Sequence, residues 1–139
     1  MGYWNRKTEL KKKANVHTNK MEELYSLEIT ECVNNTKVYD QEFYCKKECD
    51  SKPDFHQKIT VEDMDSVQAI FSYENTGKTA VLNFASYKNP GGKFLDGSSA
   101  QEEMLCHSSF LYNVLSEFDE DYYEFNRMTK NFALYTNRA

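Results

Sequence analysis

Two glycines at positions 91 and 92, a lysine at 93 and, after seven intervening residues, the run Gln101-Glu102-Glu103 fall within one stretch, NPGGKFLDGSSAQEEMLC at residues 89–106. Glycines let a backbone approach a ligand closely. The free N–H groups at the start of a following helix suit a phosphate. Of two adjacent carboxylates partly shielded from water, one holds its proton to higher pH and can act as a general acid. A phosphate-bearing ligand combined with acid catalysis points to a nucleotide-linked glycoside. A plainer account also fits: Ser99 and Glu102 have the spacing of a capping box, and Pro90-Gly91-Gly92 make an ordinary turn. It gives Gln101 and Glu103 no role.

The elements that would position these residues can be read outward from the stretch. "TAVLNFAS" at 79–86 is a continuous apolar run and reads as a buried strand. "KITVED" at 58–63 reads as a short strand. Between them, "DMDSVQAIFSYENTG" at 63–77 reads as a helix with an aspartate cap, an apolar set of Val67, Ile70 and Phe71, and Gly77 as its stop. Strand, helix and strand in this order predict a parallel pair with a right-handed crossover, and the stretch at 89–106 then follows the carboxyl end of a strand, where open sheets bind ligands. "AQEEMLCHSSFLYNVL" at 100–115 is expected as one helix with Met104, Leu105, Ser108, Leu111, Tyr112 and Leu115 on its core face. On that wheel Glu102 and Glu103 lie away from the core, facing solvent or a cleft.

Further out, Leu10, Ala14, His17, Met21 and Leu24 form the stripe of an amphipathic helix over residues 5–24. His17 reads as a core-edge histidine. "SLEITECV" and "KVYDQEF" alternate around Asn34-Asn35 and predict a hairpin. Residues 45–57 read as a polar loop. "EFDEDYYEFNRMTK" at 117–130 reads as a helix, and "FALYT" at 132–136 as the start of a strand whose open edge would favour self-association.

The chain has 139 residues, enough for a single domain with one core. A formal charge of -5 and a pI near 5.2 argue against broad binding to nucleic-acid backbones. No apolar run approaches the roughly 20 residues of a membrane span. The amino terminus lacks the apolar core of a signal peptide, and Arg6 stands where a myristoylation signal needs Ser or Thr. These features predict a cytoplasmic protein with reduced thiols at Cys32, Cys45, Cys49 and Cys106. Cys45, Cys49 and His56 supply too few ligands for a closed zinc site. No metal or cofactor is expected.

The sequence "VLNFASYKNPGGKFLDGSSAQEEMLCHSSFLY" at 81–112 closely resembles the signature of microbial-type poly(ADP-ribose) glycohydrolases, a glycine triplet followed at short spacing by Gln-Glu-Glu. A weaker, collinear similarity runs from "WNRK" through "KITVEDMDSVQAI" to "LYTNRA". The resemblance implies an α/β, macrodomain-like fold, a mixed sheet flanked by helices. It implies cleavage of ribose–ribose bonds in poly(ADP-ribose) on modified proteins, with release of ADP-ribose. Glu103 falls on the family's catalytic acid/base and Glu102 on its ribose-holding partner. The ligand-binding positions implied are Asn83, Ser86, Pro90, Gly91, Gly92, Lys93 and Gln101. Two departures stand out. Lys93 replaces the third glycine, where a left-handed backbone would cost about 1–2 kcal/mol. Family members also extend past the equivalent of "LYTNRA", so the chain is expected to be the amino-terminal portion of a catalytic domain, incomplete at the carboxyl end. These departures make an inactive or truncated ADP-ribose-binding module the alternative.

Overall fold

A computed structural model of the chain describes residues 3–39 and 58–128. Helix α1, Tyr3–Asn35, is 33 residues long and leaves helical geometry only at Tyr25 (φ -131°, ψ 28°), whose ring lies 5.9 Å from that of Phe110. The amphipathic stripe does place Ala14 in the core, but the helix runs well past residue 24. Its polar side chains fasten to their own backbone: Thr18, Thr30 and Asn35 each donate to the carbonyl four residues back, at 2.8–3.0 Å. The expected hairpin is therefore overturned in its first arm. "SLEITECV" continues α1, burying Ile29 while leaving Leu27 81% exposed, so no two-faced strand pattern is used. Extending an existing helix gains one hydrogen bond per residue without a new nucleus. Of the second arm only residues 37–39 are described, and they form no regular element. The 45–57 loop, the Cys45-Cys49-His56 group and "FALYT" lie outside the described residues.

Helix α2, Ser66–Tyr73, starts as its sequence dictates. Asp65 accepts from Gln68 N–H at 2.8 Å and Gln68 Oε1 accepts from Asp65 N–H at 3.2 Å, a reciprocal cap. The strands expected on either side do not form. Residues 58–62 and 79–86 have no ladder partner, and among the described residues every regular element is helical. The mixed α/β, macrodomain-like sheet is thus corrected to an all-helical arrangement. A parallel pair is stable when both faces are covered, whereas Ile59 and Val61 are 84% and 92% exposed and Leu82 and Phe84 72% and 75%.

The predicted 100–115 helix is broken into α3, Gln101–Ser108, and α4, Leu111–Ser116. The break falls at Ser109, whose backbone is extended. Ser108 and Ser109 donate to the carbonyls of Met104 and Leu105, and the Ser109 hydroxyl then accepts Leu111 N–H, capping the next helix. After α4 the chain makes a π-helical segment, Asp119–Glu124, and helix α5, Phe125–Met128. Arg127 holds Asp119 through two bonds of 2.9 and 2.7 Å and donates to the Lys88 carbonyl, tying this end to the glycine loop.

The core lies where α1, the loop at 89–100, α3 and α4 meet. Ala14, Phe94 and Cys106 are fully buried, with Leu111 and Tyr112 packed against them. Phe94 sits in a 3-10 turn, Phe94–Asp96, inside an otherwise polar loop, with ring centroids 4.6 Å from His107, 5.2 Å from Tyr112 and 6.5 Å from His17. His17 thus takes its place at the core edge, its Nε2 2.9 Å from the Ser109 carbonyl oxygen. Gly97 (φ +77°) closes the turn directly against the backbone of Lys7 and Lys11, where a Cβ would have no room.

Candidate functional site

Gly91 and Gly92 both adopt φ of +62°. A Cβ on Gly91 would lie 3.0 Å from both Cys106 Sγ and the Tyr112 ring. A Cβ on Gly92 would lie 2.7 Å from Glu103 Oε1 and 3.1 Å from Glu102 Oε2. Both carboxylates therefore converge on the bare Cα of Gly92.

The two acids are buried, at 3% and 7% exposure, so of the two placements left open by the helical wheel, solvent or a cleft, exposure to solvent is ruled out. Met104, placed on the core face by that wheel, is 38% exposed. Hydropathy weighs a glutamate as polar wherever it stands, but here each carboxylate meets backbone donors. Glu102 Oε2 accepts Ser86 N–H at 2.8 Å, and its Oε1 lies 3.5 Å from the donor nitrogen of Asn83. Glu103 Oε1 accepts Lys93 N–H at 2.9 Å, and its Oε2 has no hydrogen bond among the described residues. The Ser99–Glu102 capping box is consequently not made: the helix starts one residue later, at an uncapped Ala100, and Glu102 is bonded across the fold.

Burial pushes the Glu102 carboxyl up from its ordinary range, opposed by its bonds to Ser86 and Asn83 and reinforced by the charge of Glu103. Cys106, beneath Gly91, has its thiol pushed up to about 12 by burial and by the two carboxylates. Tyr123, 2% exposed, has its phenol raised by burial and then by the charge of Glu102. His107 is held below its usual range by burial and by His17.

Lys93 does not take the left-handed backbone expected of the third glycine position. Its φ is -110° and ψ 33°, so a side chain there incurs no such penalty. Its N–H holds Glu103, and its exposed side chain borders a cavity of about 330 Å³ with Arg6, Lys7, Gly97, Ser98 and Ser99. Arg6, Lys7 and Lys93 have no carboxylate partner among the described residues. Ser86 also shapes the loop through its hydroxyl, which accepts from Lys88 N–H and Asn89 N–H at 3.3 and 3.2 Å. Pro90 leads into the glycines, partly buried.

Of the residues singled out in the sequence, Asn83, Ser86, Gly92, Lys93, Glu102 and Glu103 are brought into one cluster, with Gly91 packed on its underside. Gln101 points elsewhere: its amide is bonded to Phe84 N–H, the Leu82 carbonyl and the Ser66 hydroxyl. Sequence reasoning set Tyr112 on a core face but passed over Phe94 and Cys106 as parts of the site's support, and Tyr123 as a buried residue. An aromatic inside a loop of Gly, Lys and Asp was the available signal for Phe94. Tyr123, within the acidic run 117–124, carried none. Among the described residues there is no cluster of His, Cys, Asp or Glu able to hold a metal, and no helix is long and apolar enough to cross a membrane.

No curated protein and no solved structure matches the chain. A family model does, described as the catalytic domain of microbial-type PARG, the poly(ADP-ribose) glycohydrolases, and its match runs over residues 6–139. The chain belongs to the microbial-type PARG catalytic-domain family.

Proposed function

We propose that this chain hydrolyses the ribose–ribose glycosidic bond of poly(ADP-ribose), releasing ADP-ribose, with Glu103 as general acid/base and Glu102 as the group that holds the ribose. The reading is carried by the unequal engagement of two buried carboxylates at one glycine. Glu102 has both oxygens tied to the 83–86 segment. Glu103 spends one oxygen on Lys93 N–H and keeps the other for a reacting group. Burial, reinforced by the charge of its neighbour, raises the carboxyl of Glu102.

Glu103 gives its proton to the departing ribose oxygen as the C–O bond breaks through an oxocarbenium-like transition state. The carboxylate it leaves then takes a proton from the water that completes hydrolysis. Gly91, Gly92 and Pro90 let the loop backbone lie against the diphosphate and ribose. Asn83 and Ser86 keep Glu102 in place, and Lys93, with Arg6 and Lys7 nearby, offers positive charge to phosphate in a chain whose net charge is -5.

Release of ADP-ribose from the polymer should fall about 100- to 10,000-fold in Glu103→Gln, the usual range for a lost general acid. Equal turnover by the two proteins removes Glu103 from the mechanism. Calorimetric binding of ADP-ribose without turnover by the wild type replaces hydrolysis with the binding-module reading.

A further inference from the structure

We propose that Gln101 is a positioning residue, not a ligand contact: its side-chain amide stands in for the N–H and C=O that one residue of a neighbouring strand would offer, and thereby sets Glu102.

The residues on either side of Asn83 expose a carbonyl, that of Leu82, and an N–H, that of Phe84. In a parallel ladder both would bond to a single residue of the adjacent strand. Among the described residues no strand is adjacent, and the Gln101 amide takes both places: Oε1 accepts Phe84 N–H at 2.8 Å and Nε2 donates to the Leu82 carbonyl at 2.8 Å. The second hydrogen of the same Nε2 goes to Ser66 Oγ at 3.0 Å, the first residue of α2. A carboxamide has two donor hydrogens, and both are spent. A phosphate or ribose oxygen that needs a donor from Gln101 would have to break one of these bonds.

The clamp brackets Asn83, whose amide faces Glu102, and lies two residues before Ser86, whose N–H makes the shorter bond to the same carboxylate. Gln101 and Glu102 are neighbours in α3, so one turn of helix grips one segment, 82–86, at two points. Without the first grip, the second must order the segment alone.

The catalytic part of this inference rests on the hydrolysis proposed above; the structural part does not. Amide hydrogen exchange on the whole chain separates the two. In Gln101→Ala both Phe84 and Ser86 N–H should exchange at least tenfold faster, while Leu105 and Cys106 in α3 keep their protection. On the polymer, kcat should fall with KM changed less than about twofold. Asn83→Ala added to Gln101→Ala should lose less than the product of the two single losses, because both act through Glu102. Loss of protection at Phe84 with Ser86 unchanged overturns the positioning role, as does a raised KM at constant kcat. Should Gln101→Ala fail to fold, Ser66→Ala removes one bond of the three: faster exchange at Phe84 supports the clamp, and an unchanged rate overturns it. A wild type inactive on the polymer removes the proposed hydrolysis and leaves the exchange result to decide the clamp.

Discussion

The half of the molecule around the glycine loop and the arm formed by residues 58–86 are built on different principles. In the first, Ala14, Phe94 and Cys106 are fully buried between two helices and a loop. In the second, α2 has no buried residue, and Ile59, Val61 and Phe84 stand 84%, 92% and 75% exposed. The first half is held by apolar packing, and the arm is fastened to it by hydrogen bonds in which Glu102 accepts Ser86 N–H and Gln101 both accepts Phe84 N–H and donates to the Leu82 carbonyl. The two acids divide along the same line: Glu103 bonds to the packed loop and Glu102 to the arm. The site is therefore a joint, and each carboxylate reports on one side of it.

The largest effect is expected at Gly92, where the two sides touch. In Gly92→Ala the added carbon meets Glu103 Oε1 at 2.7 Å and Glu102 Oε2 at 3.1 Å, on a backbone with φ +62°. Displacing both acids by a few tenths of an ångström to an ångström should reduce polymer hydrolysis by about 100-fold or more, measured as released ADP-ribose. Lys93→Gly serves as the contrast. With φ at -110° its backbone gains nothing from glycine, so only added freedom of the unfolded chain is expected, about 0.4–1 kcal/mol of lost stability. Full activity of Gly92→Ala would mean that the acids need not converge, and the joint would lose its meaning.

The second prediction sets one ring against another. Phe94→Ala empties a fully buried site among His107, Tyr112 and His17 and should cost about 3–5 kcal/mol. Phe71→Ala, at a residue 63% exposed on the arm, should stay within about 0.5 kcal/mol. Denaturant melts of both variants measure the pair. A large loss at Phe71 would mean that the arm is covered by apolar contact in solution, and the contrast between the halves would narrow.

That same contrast separates what the sequence disclosed from what it hid. Features specified by near neighbours were legible: the Asp65 cap, though its helix stops at Tyr73 and not at Gly77, the stripe through Ala14, and the loop with its acids. Features specified by distant partners were not. Residues 79–86 are apolar enough for a buried strand, but a strand needs a partner, and here a side-chain amide seventeen to nineteen positions away supplies the bonds. Glu102 has the spacing of a capping residue for Ser99, yet Ser86 N–H at 2.8 Å outcompetes that local bond. The helical wheel left Glu102 and Glu103 between solvent and a cleft for the same reason: their burial is stabilised by donors at Ser86 and Lys93, which no periodicity encodes. The break at Ser109 was closer to legible, since paired serines after a short helix offer the backbone an alternative.

The smallest effect is a pH dependence, and it sharpens the assignment of Glu102 to the arm. Burial raises the Glu102 pKa above its unfolded value of about 4.3. The folded state then binds that proton more tightly than the unfolded state. Its contribution favours folding below the unfolded pKa and is lost as pH rises through the folded one. Glu102→Gln is neutral throughout and escapes this loss. Its melting temperature relative to wild type should therefore rise between about pH 4 and pH 7. The opposite trend, wild type gaining on the variant as pH rises, would mean that the bonds from Ser86 and Asn83 outweigh burial. The arm would then hold Glu102 as a carboxylate, and the joint's polar side would be its stronger one.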